Sequence, residues 1–140
     1  MTEARTDRPQ DIHLNPYNLE LQLERLRFEA PFRERGRDSL TLVRDPSFTL
    51  LLVVLNTGAL LPEHKAPGPI SVLVLEGRVA FSAQGKRLEL GLHGLVTLPA
   101  QVPHEVEALE DSAILVTIVL PVIHTDPVGL EREGRGKGSE

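Results

Sequence analysis

Cysteine is absent from the 140 residues, which excludes disulfides, thiolate metal ligands and a cysteine nucleophile. Long apolar runs are absent as well. The longest, residues 50–55, is far too short to span a bilayer, and the polar start MTEARTDRPQDIH lacks the apolar core of a signal peptide. A cytoplasmic location with no membrane partner is therefore expected. Basic charge is not in excess: 15 Lys and Arg stand against 20 Asp and Glu, for a net charge of −5. Nucleic-acid binding needs a clustered basic face, so no nucleic-acid partner is expected. No helix-turn-helix pattern, no internal repeat and no alternation of strands with helices is present.

What is present fits one globular domain with a core of ordinary size, 41% hydrophobic and 25% charged. Residues 1–14 and 126–140 are polar and mixed in charge, and read as a disordered arm and tail. The ordered domain is expected over 15–125. Near its start, Asn15-Pro16 suggests a helix N-cap followed by proline in the first turn. Leu19, Leu23 and Leu26 then fall on one helical face, although Leu19, Leu21 and Leu23 also alternate as in a strand. A short helix is the preferred reading, ending at Arg35-Gly36-Arg37-Asp38.

Beyond residue 38 the signals are nearly all β. Short Val-, Leu-, Ile-, Thr- and Phe-rich runs at 39–44, 48–55, 70–75, 78–83, 86–90, 94–98, 104–109 and 113–120 are separated by turn residues. This spacing predicts an all-β sandwich or closed barrel. In 70–75 and 113–120 both alternating faces are apolar, so those strands should be covered on both sides, by another element or by a second subunit. A homodimer is the expected assembly.

The stretch from Gly58 to Gly77 resembles the first conserved motif of the cupin superfamily. That motif is a glycine, five residues, His-x-His, three or four residues, a glutamate, six residues and a glycine. His64 takes the first histidine position, Ala66 the second, Ile70 that of the glutamate, and Gly77 closes the run within Val74-Leu75-Glu76-Gly77. Pro99-Ala100-Gln101-Val102-Pro103-His104 resembles the end of the second motif, Pro-x-Gly-x-x-His, with Gln101 in place of the glycine. The resemblance implies a double-stranded β-helix (jelly-roll) barrel behind the short N-terminal helix. It also implies a lumen in which cupins hold a divalent metal, Zn, Ni, Mn or Fe, on three histidines and a glutamate.

Here the spacing is intact but two of the four ligand positions are apolar. Alternation along strands predicts that His64, Ala66, Ile70 and Val72 face the lumen, followed by Val74, and that His104, Val106 and Ala108 share the facing wall. Glu63, Glu105 and Glu107 should point away, and His93 should sit at a rim. Two imidazoles alone make a poor metal site. They suit the convergent polar groups of an otherwise apolar pocket for a small organic molecule, held near His64 and His104. The readings that remain open are a small-molecule-binding barrel, a metal-dependent isomerase, dioxygenase or hydrolase with His64 and His104 as ligands, and a structural or oligomerising barrel.

Other features read as structural. His13 and His124 are expected to be solvated, Gly85 to close a hairpin, and Pro67-Gly68-Pro69 to shape the loop after His64. Arg25, Arg27, Arg33, Arg35 and Arg37, set among glutamates, read as a solvated surface.

Overall fold

The computed structural model describes residues 14–121. Most of the expected arm and tail, with His13 and His124, lie outside them. The described chain begins with two helices, α1 (Leu19–Phe28) and α2 (Ala30–Arg35). The helix does start near the expected place, but Asn18 caps it and Asn15 does not. The Asn18 side chain accepts the Leu21 N–H at 3.0 Å, which satisfies one of the donors that a helix start leaves without a partner. Glu29 is extended and breaks the segment into two. Proline stands in the first turn of the second helix, not the first, and Gly36 ends it in a left-handed conformation.

Nine strands follow: β1 (Arg37–Arg44), β2 (Phe48–Leu55), β3 (Leu60–His64), β4 (Ile70–Glu76), β5 (Val79–Ala83), β6 (Lys86–Leu90), β7 (Leu95–Leu98), β8 (His104–Ala108) and β9 (Ser112–Val119). Eight correspond to the runs read from the sequence. The ninth, β3, falls between two of those runs. It is short and contains Pro62, which has no N–H to give to a ladder, and its pairing with β8 is interrupted between Leu61 and His64. The strands form a five-stranded sheet in the order β1-β2-β9-β4-β7 and a four-stranded sheet in the order β3-β8-β5-β6. Every recorded pairing is antiparallel, and the order is that of a jelly roll.

Alternation sorts the side chains into two apolar clusters. Val53, Leu55, Ile70, Val72, Val74, Val79, Phe81, Val106, Ala108 and Ile114 meet between the sheets. Leu52, Val54 and Ala113, on the outer face of the five-stranded sheet, are buried under Leu23 and Leu26 of α1. The second covering expected for 113–120 is, at Ala113, supplied by the chain's own helix. An ion pair of 2.6 Å between Arg27 and Glu76 fastens that helix to the end of β4. Arg27 therefore departs from the solvated surface expected of the arginine-rich stretch.

Two glycines are fixed by close approach. Gly77 has φ of +81°, and a Cβ there would lie 2.2 Å from the Asp111 carbonyl oxygen. This accounts for glycine in the β4–β5 turn. A Cβ on Gly68 would lie 1.6 Å from the Val119 carbonyl oxygen. The Pro67–Pro69 loop thus docks directly on β9, where the Val119 N–H bonds the Pro69 carbonyl at 2.9 Å.

Candidate functional site

Pairing of β3 with β8 places His64 opposite His104, and their ring centroids are 4.3 Å apart at an interplanar angle of 58°. The two histidines do meet, as the motif spacing implied, but their surroundings differ. His104 is only 4% exposed, whereas His64 is exposed. Strand parity predicted His64 in the lumen beside Ala66. The irregularity after Leu61 inserts one residue into β3, so that Leu61 pairs with Val106 and His64 with His104, both on the inward face; His64, the last residue of β3, is nevertheless exposed at the mouth. Ala66, Ile70, Val72 and Val106 are buried in the cluster between the sheets, at 8%, 5%, 2% and 3% exposure.

Both rings are oriented in the same way. The Nδ1–H of His64 donates to the Pro62 carbonyl at 2.9 Å, and that of His104 donates to the Val102 carbonyl at 2.9 Å. A carbonyl only accepts, so each neutral ring holds its proton on Nδ1 and keeps a lone pair on Nε2. Behind His104 lies Phe81, stacked at 5.5 Å between centroids and 10° between planes. Burial pushes the pKa of His104 below the usual histidine value. The Val102 carbonyl opposes that shift, and the nearby His64 adds to it. His104 is accordingly a neutral acceptor at pH 7.

The loops beside the pair are tied together. The Gln101 N–H donates to the Ala66 carbonyl at 2.9 Å, which links the segment before β8 to the one after β3. Gln101 stands where the second motif has glycine, and its φ of +66° keeps the conformation that glycine favours.

The donor set does not suit the metal that the resemblance implies. Among the described residues no group of three or more His, Cys, Asp or Glu is placed to hold an ion. Glu105 and Glu107 alternate with the buried His104, Val106 and Ala108, and Glu107 pairs outward with Arg87 at 3.4 Å. Glu63 is exposed. The His93 N–H bonds the Val74 carbonyl, near the end of β4 away from Ile70, so this histidine belongs to the opposite end of the barrel from His64. Two imidazole nitrogens beside a buried Ala66 and Ile70 fall short of the three or four protein ligands of most such centres.

Comparison with known proteins agrees with this architecture. No protein-family model and no curated protein matches the chain. Solved structures do. A cupin superfamily protein from Desulfitobacterium hafniense aligns with a TM-score of 0.62 and 19% identity, over 67% of this chain and 84% of that one. An RmlC-like cupin protein from Desulfovibrio desulfuricans aligns with a TM-score of 0.64 and 24% identity, over 79% of this chain and 100% of the other. A cupin 2 conserved barrel domain protein from Leptotrichia buccalis is 32% identical over 61% of this chain, with a TM-score of 0.59, and the match spans 42% of its length.

Proposed function

We propose that this chain, whose fold is that of the cupin superfamily, binds a small hydroxyl-bearing organic molecule at the mouth of its barrel through His64 and His104. The observation that carries this reading is the shared tautomer. With both Nδ1–H groups engaged by backbone carbonyls, two Nε2 acceptors are left side by side. Such a pair recognises a ligand that donates hydrogen bonds, as a phenol or a sugar does. Phe81 stacks behind His104 beside the apolar cluster between the sheets, surroundings in keeping with a site where a few polar groups converge on an apolar surface.

A thermal-shift screen of phenols, sugars and small acids tests the proposal. A ligand at 100 times its Kd should add about 2.7 kcal/mol of stability, a shift of several degrees. The gain should vanish in His64→Ala, whose exposed side chain can be removed at little structural cost. Stabilisation by no compound, or stabilisation that persists in a His64→Ala, His104→Ala double variant, overturns the reading. Protein dialysed against Zn, Ni, Mn or Fe salts and then retaining about one ion per chain, lost in His104→Ala, would support the metal-dependent alternative instead.

A further inference from the structure

We propose a second binding site, distinct from the histidine pair: the pocket in the seam between β1 and β3, which takes a small organic monocarboxylate. The pocket has a volume of about 210 Å³ and is lined by Pro31, Arg35, Arg37, Asp38, Ser39, Val53 and Leu61. That is below the roughly 300–1,000 Å³ of pockets for drug-sized ligands, and leaves room for a smaller molecule.

The walls are chemically divided. Val53 and Leu61 form an apolar floor continuous with the cluster between the sheets, while the arginines lie at the open side. The inward face of β1 is polar where that of its neighbour β2 is apolar. Register with β2 puts Arg37, Ser39 and Thr41 opposite Leu55, Val53 and Leu51, on the inner face, whereas Leu40 and Leu42 pack outward in the cluster under α1. An edge strand that turns Arg and Ser toward the inside of a barrel gives the seam a polar wall where an aliphatic one would close it.

Arg37 is held in place. One of its Nη groups donates to the Leu60 carbonyl across the seam, and among the described residues its other N–H groups have no partner. Among the described residues Arg35 makes no ion pair. Two guanidinium groups match a planar carboxylate in bidentate fashion, and the apolar floor receives its hydrocarbon body. Asp38 reduces the charge of the two arginines to one net unit, and the apolar floor is what sets a carboxylate with a hydrocarbon body apart from inorganic phosphate.

Two-dimensional NMR titration of the full chain with benzoate tests this site, with benzamide as the neutral isostere and inorganic phosphate as the dianion without an apolar body. Benzoate should shift the amides of Arg37, Ser39 and Leu61, weaken with added salt, and bind at least tenfold more tightly than benzamide or phosphate. Arg35→Gln should weaken benzoate about tenfold, as expected for the loss of a charge-assisted hydrogen bond. Arg37→Gln should abolish it, and if that variant does not fold, Arg35→Glu serves in its place with the same expectation. His64→Ala should leave benzoate binding unchanged, so failure here and failure at the histidine pair are separable. Equal binding of benzoate and benzamide, full retention of affinity in Arg35→Gln, or shifts confined to the barrel mouth overturns the proposal.

Discussion

At the scale of the residue, His104 shows how burial converts an ordinary side chain into a pH-dependent one. In the unfolded chain a histidine titrates near 6.5, and in the fold His104 titrates lower because burial disfavours the imidazolium. Between those two values the unfolded chain holds more protons than the folded one, so stability rises with pH through the window and falls on acidification below about 6.5. Urea melts at pH 7.5 and 5.5 should show this fall, and His104→Phe should flatten it. An unchanged slope in that variant would assign the effect to other groups. Asp45 and Asp111 act in a lower window. Hydrogen bonds from Ser47 and from Thr57 hold their carboxyls below the usual value, so their contribution is lost only as pH falls below about 4. Acidification through the His104 window protonates its Nε2, which removes one of the acceptors that the proposed ligand requires. His104 was legible as a buried lumen residue from its alternation with Val106 and Ala108. The exposure of His64 was not, because parity gives the face of a strand but not the depth at which the strand ends, and His64 is the last residue of β3.

At the scale of the element, the helix before the barrel is more than a decoration on it. Leu23 and Leu26, each 3% exposed, bury Leu52, Val54 and Ala113 on the outer face of the large sheet. Leu26→Ala should therefore cost about 2–4 kcal/mol by urea denaturation. The start of the helix can be tested in the same way. Asn18→Ala should cost about 1 kcal/mol and Asn15→Ala less than about 0.5 kcal/mol, and the reverse order would restore the cap first read at Asn15-Pro16. Asn15 and Asn18 have the same capping chemistry, and the proline after Asn15 is what makes it the stronger start signal in the sequence. The Asn18 side chain is the one that reaches a free N–H of the first turn, that of Leu21. The strand runs were legible because their apolar alternation and turn residues are local properties. β3 is not legible in the same way, because its proline, its exposed residues and its broken ladder make it resemble a loop.

At the scale of the whole molecule, β9 is the strand on which the fold depends. It lies at the centre of the large sheet, hydrogen-bonded to β2 on one side and β4 on the other, and it contributes the fully buried Ser112, Ala113 and Ile114. A chain ending at Asp111 should lose the cooperative thermal transition and give collapsed amide dispersion in NMR spectra. A folded barrel from that truncation would show that the two halves of the sheet hold together without it. Ser112 has a second task there. Its hydroxyl accepts the Arg78 N–H at 3.0 Å and lies within hydrogen-bonding distance of the Arg78 and Glu110 carbonyls, which locks the turn at Gly77 to the base of β9.

The sequence by itself determined the barrel: the strand periodicities, the glycine-bounded motif spacing and the apolar residues at the Ala66 and Ile70 positions are all local or pairwise patterns. It also determined that His64 and His104 would come together, since motif spacing fixes which strand ends are neighbours. Only the tertiary structure decided that one histidine is buried and the other lies at the mouth, that both keep Nε2 as acceptor, and that α1 covers part of the outer sheet. It also turned Arg37 from surface charge into the wall of a pocket, a change that depends on which face of an edge strand meets the seam. These outcomes rest on register, bulges and contacts between elements distant in sequence. No window of neighbouring residues encodes them.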